Sequence, residues 1–278
     1  QNSITIGQFV ASEIVIILIL NSSEKLIMSM EAIYDVLTSI EKMGKVTDMP
    51  LEKDSDEGII LNAEDKIEIE LKHIDIYGTF EQNLINKDIN FKIPAGSNAC
   101  LTGDTGSGKS AIIKILSTSI DNYNGSVLYN NVPLQNLNIR ELRKEIGCIL
   151  DDQEIFYGSF LENVSLGRDG ITDAEVVKIM QQVGLSKLVE SFPDAYDHVI
   201  LNSERVFSGT DRVRLLVARA LVTSPKLVFV EDLFSALKPQ NGELLLKLLL
   251  NYCKDKTLVI VSNNERVIKE CDTVIELS

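Results

Sequence analysis

One glycine-rich octapeptide constrains this chain more than any other stretch. Residues 103–110 read GDTGSGKS, which fits the phosphate-loop pattern GxxxxGK(S/T). The glycines let backbone amides curl around phosphate oxygens, the lysine reaches the β- and γ-phosphates, and the serine hydroxyl is a ligand for Mg²⁺. We therefore expect eight residues to cradle a nucleotide: Gly103, Asp104, Thr105, Gly106, Ser107, Gly108, Lys109 and Ser110.

The segments on either side of the loop support this interpretation. A short apolar strand at residues 99–101 precedes it, and apolar residues at helical spacing follow it at 111–117. This order places a helix N-terminus, with its free N–H groups, under the phosphates. A glycine-rich surface loop is the alternative, and lysine and serine in register between a strand and a helix argue against it.

The overall composition excludes one class of partner. The chain has 278 residues, enough for more than one structural unit, with 27 basic and 41 acidic residues and a net charge of −14. Proteins that bind nucleic acid usually present a basic face, so we expect no nucleic-acid partner. The four cysteines are widely spaced without a CxxC pair, and we expect small buried side chains in a reducing compartment.

The N-terminal stretch allows two interpretations on its residues alone. Residues 9–20 (FVASEIVIILIL) are almost wholly apolar, yet twelve residues are too few to cross a bilayer unaided. The chain opens on Gln1 without a signal peptide, so the stretch is either the end of a longer membrane helix or a buried helix of a soluble protein, which Glu13 favours. Helical spacing continues over 22–43, and an acidic, weakly patterned linker follows.

Strand patterns on both sides of the loop predict an α/β domain. Alternating apolar residues at 67–76 and 89–93 indicate half-buried antiparallel strands, and Asn124-Gly125 is typical of a hairpin turn. Residues 158–206 have a helical pattern. After them, apolar strands alternate with helices, and residues 257–261 form the last expected strand. This alternation indicates a largely parallel sheet.

The order of these elements and motifs resembles the ATP-binding cassette (ABC) transporter family from about Ile67 to the C-terminus. Each marker of the family has a counterpart in order along the chain. They are Tyr77 for the base-stacking aromatic, 103–110 for Walker A, 207–211 (FSGTD) for the LSGGQ signature, Glu231-Asp232 for Walker B, and 235–237 for the start of the SALD loop. Residues 156–164 and 217–221 are similar to the exporter branch.

The resemblance implies a fold and a setting. The fold is an α/β P-loop NTPase, the ABC cassette, with an antiparallel β subdomain and a helical subdomain, preceded by the end of a transmembrane helix. The expected divisions are 1–48 for that helix end and its cytoplasmic extension, 49–65 for a linker and 66–278 for the nucleotide-binding domain. The implied cofactors are ATP and Mg²⁺. The implied partners are a second nucleotide-binding domain, identical or different, the chain's own transmembrane domain upstream, and an exported substrate.

The same resemblance implies a location. The chain is similar to peptide or bacteriocin exporters of the type I secretion kind. We therefore expect the protein in a membrane, the bacterial inner membrane. Its nucleotide-binding domain would lie on the cytoplasmic side.

Several catalytic positions depart from the family pattern. Asp151 stands where a glutamine usually contacts Mg²⁺ and the attacking water, with Gln153 displaced by two residues. The usual Asp-Glu order of Walker B is inverted to Glu231-Asp232, and a misplacement of roughly 1 Å can cost about a hundredfold in rate. Asn263 replaces the histidine after the last strand and carries no positive charge.

The signature is altered as well. In a cassette dimer Ser208 and Gly209 would face the γ-phosphate on the partner, where a close, positive helix N-terminus is needed. Thr210 adds a β-branched side chain and Asp211 adds an anion at this place, so both oppose the contact.

Three functions follow as hypotheses. The first is a cassette that binds ATP and hydrolyses it weakly or only with a partner; the second is a fully active ATPase half-transporter; the third is a soluble P-loop protein unrelated to transport. The residues implied for chemistry are Asp232, Glu231, Asn263 and Asp151, and those implied for Mg²⁺ are Ser110, Glu231 and Asp151. The departures favour the first hypothesis, because phosphoryl transfer depends on positioning and charge.

Overall fold

The computed structural model describes residues 5–49, 57–62, 66–78, 83–200, 207–231, 233–234 and 237–277. The chain divides into two compact units, Gln1–Asp54 and Ser55–Ser278. The first contains one helix of 42 residues, α1 (Ile6–Thr47), which begins at a capping box. In that box the Thr5 hydroxyl accepts a hydrogen bond from the Gln8 amide, and the Gln8 side chain accepts one from the Thr5 amide.

Helix α1 leaves its apolar surface uncovered within its own unit. None of its residues is buried, and its most apolar 18-residue window has a mean hydropathy of 1.7. Within the described residues it is the one helix long and apolar enough to cross a membrane. At about 1.5 Å per residue it extends about 63 Å, roughly twice the hydrocarbon thickness of a bilayer. The apolar stretch and the amphipathic stretch of the sequence are therefore one continuous element.

The second unit alternates strands and helices. Its strands are β1 (Ile69–Tyr77), β2 (Leu84–Ile93), β3 (Asn98–Gly103), β4 (Tyr123–Tyr129), β5 (Val132–Pro133), β6 (Ile146–Ile149), β7 (Gly158–Ser159), β8 (Val199–Ile200), β9 (Leu227–Val230), β10 (Thr257–Val261) and β11 (Thr273–Leu277). Its helices are α2 (Lys109–Leu116), α3 (Ile139–Lys144), α4 (Phe160–Ser165), α5 (Asp173–Gln182), α6 (Ser186–Val189), α7 (Gly209–Leu221), α8 (Pro239–Tyr252) and α9 (Glu265–Glu270).

An antiparallel sheet of four strands, in the order β2-β1-β4-β5, opens this unit. Apolar side chains of β1 enter the core, among them Ile69, Leu71, Ile74 and Ile76, all at most 1% exposed. The pairing of β1 with β2 shifts register between Leu71 and Ile74, which is typical of a β-bulge. The bulge keeps both apolar runs on the buried face, so two runs that alternate out of phase belong to one strand.

A second sheet of five strands, in the order β11-β3-β10-β9-β6, is parallel throughout. Every residue of β9 and β10 is buried, as expected for continuous apolar strands covered on both faces. The predicted parallel α/β cassette is therefore confirmed. The carboxyl ends of β3, β6, β9 and β10 meet at one edge of the sheet, the place where open α/β sheets bind ligands.

Helices α4, α5 and α7 form the predicted helical part around a shared apolar cluster that includes Phe160, Val176, Met180 and Leu216. The segment also contains a short antiparallel pair, β7 with β8, that the helical pattern did not indicate.

Two expectations were wrong. Asn124-Gly125 is not a hairpin turn: both residues lie inside β4, where Gly125 (φ +109°) lies so close to β1 that a Cβ there would be 2.3 Å from the His73 carbonyl oxygen. The hairpin forms at Asn130-Asn131, both left-handed, between β4 and β5. The strand at 257–261 is also not the last, because β11 follows and pairs with β3.

Part of the predicted linker is described. Residues 57–62 belong to the second unit, where the backbone of Ile59 forms a parallel bridge with Leu137 and hydrogen bonds with Asn136 and Asn138. Leu61 packs against the core of the same unit.

Candidate functional site

The glycine-rich loop joins β3 to α2 at the ligand-binding edge of the parallel sheet. Gly103, Gly106 and Gly108 have φ values of +142°, +89° and +89°, which side chains rarely tolerate. Gly103 has a further constraint, because a Cβ there would lie 2.1 Å from the carbonyl oxygen of Leu277 in β11. Gly108 caps α2 without a side-chain hydrogen bond, so the first amides of the helix are available to an anion.

Lys109 begins α2 and turns back over the loop. Its ammonium donates to the carbonyl oxygens of Gly103 at 2.8 Å and Asp104 at 2.6 Å, and it lies 3.4 Å from the Ser107 hydroxyl. The cation is thus held inside the loop, where phosphate oxygens would be bound. Asn86 of β2 supports the loop from outside by donating to the Ser107 carbonyl at 3.0 Å.

A cleft of about 540 Å³ opens over the loop. It brings together eight of the sequence-predicted site residues, from four separate segments: Thr105, Gly106, Gly108, Lys109, Ser110, Asp151, Glu231 and Asn263. The other described residues that line it are Ile85, Ala111, Val261 and Ser262. Asp232 lies outside the described residues, as do Ser235 and Ala236.

The acidic wall of the cleft follows β6 and β9. The Glu231 carboxylate accepts a hydrogen bond from the backbone amide of Asp151 at 3.2 Å, which joins the two predicted metal ligands. Next to them, Lys114 of α2 forms a 2.7 Å ion pair with Asp152. The hydrogen bond to Asp152 raises the pKa of the Lys114 ammonium, and the negative charge of Glu231 adds to the effect. One of the three carboxylates at this wall is therefore compensated by a protein cation.

Gln153 does not replace the missing glutamine of the cleft. Its side-chain amide donates to the carbonyl of Cys148 in the preceding strand β6 at 3.2 Å, and its backbone carbonyl accepts a hydrogen bond from Arg212. Asp151 is accordingly the residue of this turn that lines the cleft.

Asn263, two residues beyond β10, contacts the start of the loop. Its side-chain oxygen accepts hydrogen bonds from the Thr102 hydroxyl at 2.9 Å and the Gly103 amide at 3.2 Å, and its nitrogen donates to the Gly103 carbonyl at 3.0 Å. Thr102 was not among the sequence-predicted residues. No local pattern indicates it, since the contact joins residues 161 positions apart.

Ser208 and Gly209 begin α7 and do not line the cleft. The Ser208 hydroxyl accepts a hydrogen bond from the Asp211 amide at 3.2 Å and donates to the Asp211 carboxylate at 2.6 Å. Arg214 lies 3.8 Å from the same carboxylate. The hydroxyl of Ser208, the serine of the signature, is thus hydrogen-bonded to a carboxylate of its own helix.

Two buried or half-buried arginines attach α7 to the segment that follows Asp151. Arg212 donates to the Gln153 carbonyl, and Arg219 donates to the carbonyls of Glu154 at 2.9 Å and Asn163 at 2.8 Å. Burial lowers the pKa of the Arg219 guanidinium. The signature helix and the turn carrying Asp151 are therefore joined by several hydrogen bonds.

Tyr77 ends β1 and is not among the described residues that line the cleft. Its hydroxyl accepts a hydrogen bond from the Asn124 side chain at 3.1 Å, and its backbone pairs with Asn122. Asn124 thus holds the half-buried ring, and Asn122 holds the backbone of Tyr77, at the end of the antiparallel sheet.

Comparison with known proteins identifies the family. The model of the ABC transporter family matches residues 86–235, more than half of the chain. The chain belongs to the ABC transporter family. The resemblance drawn from the motifs is thereby confirmed, and the second unit is a nucleotide-binding domain of this family.

Individual relatives agree. An uncharacterized ABC transporter ATP-binding protein, YknV of Bacillus subtilis, is 29% identical over 68% of this chain. The mitochondrial iron-sulfur clusters transporter ATM1 of Saccharomyces cerevisiae is 30% identical over 72%, and the alpha-hemolysin translocation ATP-binding protein HlyB of Escherichia coli is 25% identical over 99%. The chain spans only 31%, 29% and 39% of these curated relatives.

A solved structure shares the fold. A bacterial Atm1-family ABC exporter with ATP bound superposes with a TM-score of 0.76 at 22% identity, covering 88% of this chain and 43% of that one.

Proposed function

We propose that this chain is the ATP-binding subunit of an ABC exporter that binds Mg²⁺-ATP and hydrolyses it slowly or only with a partner. The observation that carries the proposal is the cleft, which combines an intact phosphate loop with Asp151, Glu231 and Asn263. Among its described lining residues Lys109 is the only lysine or arginine, and there is no histidine. Binding uses the loop, whereas hydrolysis needs charge and positioning from the other side chains.

The residues of the cleft fit an Mg²⁺ ion that is coordinated jointly by the protein and by the phosphates of the nucleotide. Ser110, Glu231 and Asp151 offer oxygen atoms, the donors that Mg²⁺ prefers. Among the described residues no group of three or more histidine, cysteine, aspartate or glutamate side chains could hold a metal by itself. Mg²⁺ would therefore be shared between these oxygens and the phosphates, where it would neutralise developing negative charge.

Three further roles belong to the proposal. Tyr77 would stack on the base, and Asp232 would position the attacking water. Ser208 and Gly209 would face the nucleotide of a second cassette, and the hydrogen bond from Ser208 to Asp211 supports a weak contact there. A different, catalytically active subunit is the more suitable partner, because a second copy would repeat the substitutions at Asp151, Glu231 and Asn263.

The proposal also includes a location. We assign residues 1–48 to the end of a membrane helix and its cytoplasmic extension, 49–65 to a linker and 66–278 to the nucleotide-binding domain. The uncovered apolar surface of α1 supports a membrane location. The assignment to the bacterial inner membrane, with the cassette on its cytoplasmic side, rests on the resemblance to bacterial exporters. The exported substrate would be chosen by membrane segments of the full transporter.

The test measures ATP binding and ATP hydrolysis on one preparation of the full chain in detergent, at saturating Mg²⁺. Tight binding with negligible turnover is expected. Turnover equal to that of an ordinary cassette would instead support a fully active half-transporter. Failure of the full chain to associate with lipid vesicles would favour the soluble P-loop protein.

A further inference from the structure

The Asn263 side chain is bound to the end of β3 by both acceptor positions of its oxygen and by one of its two N–H groups. All three of its hydrogen bonds go to Thr102 and Gly103. Because the oxygen faces an N–H donor and the nitrogen faces a carbonyl acceptor, only one orientation of the amide satisfies both partners. We propose that Asn263 is a positioning residue, which fixes the start of the phosphate loop through the backbone of Gly103 and does not act by touching the γ-phosphate. This inference rests on the proposed ATP-binding function.

The ladder between β10 and β3 explains why a side chain is needed there. Val261, the last residue of β10, pairs with Leu101, and the Ser262 amide donates to the Leu101 carbonyl. Beyond this point β10 has ended, while Gly103 still presents an N–H and a C=O toward that side. The amide of Asn263 has the donor and acceptor of a peptide group, so it continues the ladder by one step. On its other side Gly103 pairs with Leu277.

Asn263 reaches Lys109 through one shared atom. The Gly103 carbonyl oxygen accepts from the Asn263 side chain at 3.0 Å and from the Lys109 ammonium at 2.8 Å. A carbonyl oxygen has two lone pairs, so both bonds can form at once. Fixing Gly103 therefore fixes the anchor of the loop lysine. A loop held in its binding shape has a higher apparent affinity, since affinity falls in proportion to the fraction of molecules in that shape.

A histidine could not make the same contact. The two ring nitrogens of imidazole point away from each other, so they cannot pair with the N–H and C=O of a single residue. Asn263 consequently has a different role from the histidine of the family, and its role is not a weaker form of the histidine's.

The test compares ATP with ADP, because ADP lacks the γ-phosphate but still occupies the loop. Both affinities are measured on the full chain for the wild type, Asn263→Ala, Thr102→Val and the double variant. Asn263→Ala is expected to weaken both nucleotides equally, by about tenfold, and Thr102→Val by about two- to threefold. The double variant is expected to be no weaker than Asn263→Ala, since both changes remove the same contact. Thr102→Ser keeps the hydroxyl and is the matched control with unchanged affinity.

Other results of these binding measurements would overturn the positioning role of Asn263 or the proposed function. A loss for ATP with ADP unchanged would mean that Asn263 touches the γ-phosphate and would overturn the inference. Unchanged or tighter binding of both nucleotides, or losses that simply add in the double variant, would overturn it too. If Asn263→Ala does not fold, the Thr102→Val and Thr102→Ser pair gives the same comparison. A wild type that binds neither nucleotide would refute the proposed function itself.

Discussion

Alanine at Gly103 tests whether the phosphate loop depends on its contact with the C-terminal strand. A Cβ at Gly103 would lie 2.1 Å from the Leu277 carbonyl oxygen and 3.1 Å from both the Leu277 carbonyl carbon and the Ser107 hydroxyl. Real Cβ atoms do not approach a backbone so closely, so β11 must move. Gly106, three residues on, has φ +89° and nothing within 4 Å of a Cβ. Gly106→Ala is therefore the matched control, with backbone strain but no clash.

The magnitudes follow from these two environments. Gly106→Ala should cost about 1–2 kcal/mol of unfolding free energy, the usual price of a left-handed alanine. Gly103→Ala adds the displacement of Leu277, the register partner of Gly103, which would disturb one or two backbone hydrogen bonds at the end of β11, each of about 0.5–1.5 kcal/mol. Its φ of +142° lies in a region used almost only by glycine, so its own strain is about 1–3 kcal/mol. The expected total is about 2–5 kcal/mol.

Urea denaturation followed by tyrosine signals measures this difference. The chain has no tryptophan, and of its seven tyrosines only Tyr34 lies in α1, so the signal reports the second unit. Deleting residues 277–278 removes the clashing carbonyl, so Gly103→Ala should cost less in the shortened chain than in the full chain. An equal cost in both backgrounds, or a cost of Gly103→Ala no larger than that of Gly106→Ala, would show that contact with Leu277 does not constrain the loop.

Three further predictions concern the cleft and the core. Lys109→Ala should weaken ATP binding at least about a hundredfold, because charge-assisted phosphate contacts are lost. The control is Lys114→Ala, which removes an ion pair at the edge of the cleft and should change the dissociation constant for ATP less than about threefold. Asp232→Glu combined with Asn263→His should raise steady-state ATP turnover more than the product of the single effects, since both groups would surround one water; strictly multiplicative effects would argue against a shared site. Burial raises the pKa of the Cys148 thiol from about 9 to about 12, so the folded unit keeps a proton that the unfolded chain loses. Stability should fall between about pH 9 and pH 12, and urea midpoints of Cys148→Ala should fall less over the same range.

The parts of the fold that local chemistry determines were predictable. The phosphate loop needs glycines, a lysine and a serine at fixed positions whatever surrounds it, and β9 and β10 are continuous apolar runs that suit only a covered sheet. Strand β11 escaped prediction because it is an edge strand. Thr273 to Leu277 alternate between partly exposed and exposed residues until the last one, which resembles an ordinary surface segment.

The failed hairpin has a similar cause. Asn-Gly is a strong hairpin signal because both residues accept left-handed backbone, but a bulge or a close backbone approach uses the same property. Here Gly125 allows the backbone of β4 to lie close to the carbonyl of His73 in β1. The turn is formed by Asn130 and Asn131 instead. The contacts of Asn263 could not be read from the sequence either, because they depend on the register of β10 against β3.

The arrangement of the cleft gives a reason why binding and hydrolysis can separate in such a chain. The phosphate cradle is mainly backbone, fixed by glycine conformations, by α2 and by the contact of Asn263 with Gly103, so it does not depend on the side chains of Asp151 and Glu231. The groups that would act on the transition state are side chains at the ends of other strands, and here Glu231 is hydrogen-bonded to the Asp151 amide and Asn263 to Gly103. By holding Gly103 in the loop, Asn263 favours bound ATP and its transition state equally, and uniform binding raises affinity without raising kcat. On the proposed function, such a subunit would respond to the presence of nucleotide, and most of the turnover would come from its partner.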